Sequence, residues 1–80
     1  MSEITMVLPQ YGMGMQDGEI VRWLKAEGER VTEGEILVEV EAAKTTVEVP
    51  APVSGTLVRI VAAEGETIDV RAPMAVISTD

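Results

Sequence analysis

The stretch Val38-Glu39-Val40-Glu41-Ala42-Ala43-Lys44-Thr45-Thr46-Val47-Glu48-Val49 reads as two short strands joined by a tight turn. With Ala43-Lys44 at the tip, Ala42 faces Thr45, Glu41 faces Thr46, Val40 faces Val47, Glu39 faces Glu48 and Val38 faces Val49. Side chains alternate between the two faces of a strand. Val38, Val40, Val47 and Val49 therefore share one face, and Glu39, Glu41, Thr46 and Glu48 share the other. Pattern and register agree, as they must in an antiparallel pair that covers a core on one side only. Two details oppose simple stability. Ala-Lys is not a favoured two-residue hairpin turn, a role that suits Asn-Gly or Asp-Gly. Glu39 opposite Glu48 is a like-charge cross-strand pair. Local rules tend to be broken at functional positions. A lysine in an exposed turn is ordinarily a solvated charge, yet a long amine on a firm hairpin is also what a modifying enzyme can reach.

Outward from this hairpin, apolar residues come in short runs at 4–8, 20–24, 36–40, 47–49, 57–61 and 74–77. β-branched residues are frequent in them, and Gly, Pro and acidic pairs separate them. This pattern predicts short strands of an all-β sandwich or barrel. Residues 23–27 could begin a helix, but the window is too short for a stable one. Pro50 and Pro52 read as strand-ending residues, and Trp23 as core or edge packing.

A repeat organises the runs. Shifted by 37 positions without a gap, Gly18, Val21, Arg22, Ala26, Glu27, Gly28 and Glu29 fall on Gly55, Val58, Arg59, Ala63, Glu64, Gly65 and Glu66. Ile20 with Leu57, Leu24 with Val61, Val31 with Ile68 and Val40 with Ile77 are conservative matches. A repeat constrains architecture: two copies of one β unit predict two similar sheets related by a pseudo-two-fold axis across a shared core. Gly28 and Gly65 then occupy equivalent turns. The mate of Lys44 would be position 81, just past Asp80, so Lys44 is expected at the end of the molecule opposite both chain termini.

Composition narrows the chemistry. Eighty residues suffice for one domain, expected over 1–80, with a thin core that buries only about 60% of the unfolded surface. There is no cysteine and no histidine. Disulfides, thiolate metal sites and a thiol nucleophile are thereby absent, as are the commonest metal ligand and general base. We expect no metal site and no catalytic residue. A net charge of −8 argues against nucleic acid and against an anionic membrane surface. Neither a signal peptide nor a membrane-length apolar run is visible. A cytoplasmic protein is expected, or a mitochondrial-matrix one in a eukaryote.

The central stretch, continued through Pro50-Ala51-Pro52-Val53-Ser54-Gly55, resembles the lipoyl-lysine hairpin of 2-oxo acid dehydrogenase complexes. Met6-Val7-Leu8-Pro9 followed by Met13-Gly14-Met15-Gln16-Asp17-Gly18 looks like that family's opening. Gly28-Glu29-Arg30-Val31 and Gly34-Glu35-Ile36-Leu37 look like its middle turns, and Glu64-Gly65-Glu66-Thr67-Ile68 like its late turn. The resemblance implies a flattened β-barrel of two four-stranded antiparallel sheets and a non-catalytic carrier, with lipoate in amide linkage on Lys44. It implies a swinging arm that is acylated by a thiamine-dependent 2-oxo acid dehydrogenase or loaded in a glycine-cleavage-type system. The arm delivers its acyl group at an acyltransferase core and is reoxidised by a flavoprotein, dihydrolipoamide dehydrogenase. A lipoate ligase or octanoyl transferase would install it, on a domain expected to be monomeric. Glu41, Ala43 and Thr45, with Met13, Gly14 and Met15 from a loop beside the hairpin, are the expected recognition residues. The family commonly carries Asp-Lys-Ala at the tip, whereas this chain has Ala43-Lys44-Thr45, so Glu41 becomes the nearby acidic charge. Biotin carriers share the fold but place Met on both sides of the lysine. A biotin carrier and an unmodified interaction module are the alternative readings.

Overall fold

The computed structural model describes residues 2–10, 15–42 and 44–79. Eight strands form in chain order: β1 (Glu3–Val7), β2 (Asp17–Trp23), β3 (Arg30–Val31), β4 (Ile36–Ala42), β5 (Thr45–Pro50), β6 (Gly55–Ile60), β7 (Thr67–Asp69) and β8 (Pro73–Thr79). They make two four-stranded antiparallel sheets, ordered β1-β8-β6-β3 and β5-β4-β2-β7. No described residue is helical, and residues 24–29 form a turn.

The sequence repeat is a structural one. Ile20 pairs with Val40 and Arg22 with Glu39, across a bulge. Their mates Leu57 and Ile77, Arg59 and Val76 pair in the same way across the same bulge. Backbone hydrogen bonds follow the pattern: Gly28 N–H donates to Leu57 O and Gly65 N–H to Ile20 O, each 2.7 Å. Both glycines have positive φ, 94° and 89°, a region open to residues without a Cβ. Carboxylates tie the halves together reciprocally. The Trp23 N–H donates to Glu64 Oε2 at 2.9 Å, and the Ile60 N–H to Glu27 Oε2 at 2.8 Å.

The inner faces of the two sheets meet in one core built on Leu8, Ile20, Leu37, Leu57, Met74 and Ile77, all fully buried. Trp23 packs against it and donates its indole N–H to Ala62 O at 2.8 Å. Two departures from the sequence reading have local causes. Strands β3 and β7 escape a reading of apolar runs because two or three residues carry no legible alternation. In β4, both Leu37 and Val38 are buried, because a bulge between Ile36 and Val38 inserts Leu37 as an extra residue.

The strands run between two distinct ends of the molecule. Glu19 pairs with Glu41, the Val70 N–H donates to Gln16 O, and the Arg71 N–H donates to Leu8 O. Leu8 and Gln16, which follow β1 and precede β2, therefore lie at the same end as the β4–β5 turn. At the other end of β1 and β8, the Thr79 N–H donates to Ser2 O at 2.7 Å.

Candidate functional site

The β4–β5 hairpin positions Lys44. Its register runs Ala42 with Thr45, Glu41 with Thr46, Val40 with Val47, Glu39 with Glu48 and Val38 with Val49, as the alternation requires. Val38, Val40 and Val49 are buried, Ala42 closes the core just below the tip, and Val47 packs against it. Lys44 stands exposed above this base with φ of 68°. A non-glycine residue in the left-handed region carries about 1–2 kcal/mol of local strain. It persists because strand pairing and core packing on both sides of the turn determine the backbone there.

Gly18 is a support that a reading of motifs misses. It lies on β2 beside β4 in the same sheet, where a Cβ would meet Val40 Cγ1 at 2.6 Å and both Glu41 O and Leu8 Cδ2 at 3.5 Å. Its match with Gly55 in the repeat is the sequence signal that could have flagged it.

The outer face around the hairpin is acidic. Glu41 and Thr46 are exposed neighbours, and Glu19 on β2 pairs with Glu41. Arg22 Nε stands 3.5 Å from Glu39 Oε1, which eases the like-charge pair of Glu39 and Glu48. The described residues contain no cluster of three or more His, Cys, Asp or Glu side chains able to hold a metal.

Of the expected recognition residues, Glu41 and Thr45 are exposed beside Lys44. Met15 is placed differently: its side chain is buried in the core, while its carbonyl accepts from Gln10 Nε2 at 3.3 Å. Met15 therefore bears on the hairpin end through packing rather than as an exposed contact. Met13, Gly14 and Ala43 lie outside the described residues.

Comparison with known proteins agrees with this architecture. A family profile described as "Biotin-requiring enzyme", covering biotin and lipoyl attachment, matches residues 4–77. The chain is 44% identical over 85% of its length to the dihydrolipoyllysine-residue acetyltransferase component of the pyruvate dehydrogenase complex of Corynebacterium glutamicum, covering 10% of that protein. It is 41% identical over 96% of its length to the acetyltransferase component of the acetoin cleaving system of Pseudomonas putida, covering 21% of it. It thus spans about a fifth or less of these relatives. Among solved structures, the lipoyl domain of the 2-oxoglutarate dehydrogenase complex of Azotobacter vinelandii aligns with a TM-score of 0.76 at 29% identity, over 94% of this chain and 95% of that one. A single-chain, multi-domain long-chain acyl-CoA carboxylase aligns with a TM-score of 0.82 at 23% identity, over 98% of this chain and 7% of that one; that likeness concerns the fold alone. The chain therefore belongs to the biotin/lipoyl-attachment family, and within it stands with the lipoyl domains.

Proposed function

We propose that this chain is a lipoyl carrier, with lipoate joined to Lys44 Nζ by an amide bond and presented in turn to the active sites of a 2-oxo acid dehydrogenase complex. The observation that carries this reading is an exposed lysine at the tip of a hairpin whose register and packing are determined on both sides. The names of the acyltransferase relatives and the 29% identical lipoyl domain support it.

The group on Lys44 would supply a dithiolane that accepts and releases acyl groups and electrons, so the chemistry belongs to the cofactor and the protein supplies placement. The residues of this chain divide that placement among them. Val38, Val40, Val47 and Val49 anchor the hairpin in the core. The Ala42–Thr45 pair closes it, and Lys44 contributes a long flexible stem with a terminal amine. Glu41 and Thr45 are the exposed groups that an installing enzyme or an acylating partner meets first. No side chain is asked to move a proton, and catalysis falls to the partners: a thiamine-dependent dehydrogenase, an acyltransferase core and dihydrolipoamide dehydrogenase. Tethering beside those sites makes each delivery effectively intramolecular, with local concentrations on the order of mM for short flexible tethers.

The test is to incubate the folded chain with a lipoate ligase, lipoate and ATP, and separately with a biotin ligase, biotin and ATP, and to compare intact masses. One lipoyl addition, none in Lys44→Arg and no biotinylation are expected. Biotinylation in preference to lipoylation, or no modification at all, overturns the reading.

A further inference from the structure

The chain has two lysines, and the fold treats them oppositely. Lys44 is exposed at the tip and has no carboxylate partner among the described residues. Lys25 follows β2 at the far end of the molecule, its side chain only 26% exposed, with Nζ 3.1 Å from Glu35 Oε2. Glu35 is itself held. Its other oxygen, Oε1, accepts the Thr32 N–H at 3.0 Å, and its own N–H donates to Thr32 O at 2.9 Å. The Thr32 N–H and the Lys25 ammonium hold the Glu35 carboxyl below the usual glutamate value. A carboxylate already held by the backbone loses little freedom on pairing, which favours the contact.

An acyl thioester is a latent acylating agent. A neutral lysine Nζ attacks its carbonyl carbon, a C–N bond forms as the C–S bond breaks, and the sulfur leaves as a thiol with the proton the amine gives up. A carrier of thioesters with reachable amines on its own body would lose cargo in this way. The four remaining basic residues are arginines, which stay protonated, and the chain has neither cysteine nor histidine. Lys25 is thus the one side-chain amine besides Lys44. Glu35 immediately precedes β4 and Lys44 lies just beyond its end, so the strand's seven residues separate them by about 23 Å. An arm of about a dozen bonds from the Lys44 Cα reaches roughly 14 Å. The domain's own arm therefore falls short of Lys25. Free acyl-CoA and the arm of a second copy do not.

We propose that Lys25 is a masked amine: the ion pair with Glu35 and its distance from the tip keep the body from capturing acyl groups, and Glu35 is the positioning residue that enforces the mask. The inference rests on the carrier reading for its purpose, but not for its test.

The test treats the folded, unmodified chain with millimolar acetyl-CoA at mildly alkaline pH and follows acetylation of Lys25 and Lys44 by peptide mass spectrometry. Lys44 serves as the internal control for an accessible amine. Lys25 is expected to react several-fold more slowly than Lys44. Glu35→Gln, whose amide oxygen can still accept from Thr32, should speed acetylation of Lys25 about 1.4- to fivefold, the range an exposed ion pair spans, and leave Lys44 unchanged. High salt should speed Lys25 in the wild type and not in Glu35→Gln, a response that a purely structural role for Glu35 would not produce. Equal rates at the two lysines, or a Lys25 rate indifferent to both the substitution and salt, overturns the proposal. Failure of the ligase assay leaves these rates standing, so the two readings fail separately.

Discussion

Gly18 and Gly55 are mates in the repeat, yet alanine should affect them unequally. At Gly18 a Cβ meets Val40 Cγ1 at 2.6 Å, about 1 Å inside the best carbon–carbon separation. The obstacle is one methyl of a β-branched side chain, which is stiff at χ1, so the valine shifts as a body. Overpacking of this kind costs about 1–3 kcal/mol. Restricting the unfolded chain returns about 0.4–1 kcal/mol, which leaves a net loss of about 0.5–2 kcal/mol. At Gly55 the added Cβ falls far inside contact distance of the Ser78 carbonyl oxygen and close to its carbon. That backbone belongs to β8, which is hydrogen-bonded to β1 on one side and β6 on the other, so it cannot yield without breaking pairs. Gly55→Ala should therefore cost at least about 3 kcal/mol, a large share of the roughly 4–12 kcal/mol expected for a domain of this size. Urea unfolding followed by the fluorescence of Trp23, the only tryptophan, reads both. With a slope of about 1 kcal/mol/M, Gly18→Ala should lower the midpoint by roughly 0.5–2 M, while Gly55→Ala lowers it by about 3 M or prevents folding. Equal losses, or a harmless Gly55→Ala, would refute the argument that side chain yields where backbone cannot.

Leu57, fully buried at the centre of its sheet, should cost about 2–5 kcal/mol on replacement by alanine, measured by the same unfolding curve. Trp23→Phe removes the indole donor to Ala62 O and should lose about 1 kcal/mol, visible as a lower midpoint in calorimetry. Glu35 gives a pH signature whose sign is set by its lowered folded-state pKa. Its contribution is present above the ordinary glutamate value and disappears as pH falls through the folded-state value. Glu35→Gln should flatten the acid limb of the stability curve in that window, and a limb of unchanged slope in calorimetry across acid pH would contradict this.

The residues announce the hairpin and the repeat because both rest on signals local in sequence. Alternation from Val38 to Val49 dictates which side chains go inward, and a period-2 pattern allows one register about a two-residue tip. The gapless offset pairs Gly28 with Gly65 and Glu27 with Glu64, and the structure uses both pairs in equivalent turns and stitches. What stayed hidden depends on contacts between elements. The fit of Gly18 beside Val40 and the obstruction of Gly55 by Ser78 are separations between strands far apart in sequence. Leu37 is buried beside Val38 because a bulge breaks the alternation. The buried Met15 lies in a Gly/Met stretch of sequence that carries no periodicity to reveal its burial. The pairing of Lys25 with Glu35 joins a turn after β2 to the start of β4, ten positions apart, with no motif spacing to mark it.

The hairpin makes Lys44 the amine that a modifying enzyme is proposed to take. The most direct measurement is to lipoylate the folded chain with ligase, digest it, and locate the added mass by fragmentation. All of the added mass on Lys44 and none on Lys25 is the predicted result; lipoate on Lys25, or shared between the two lysines, would contradict it.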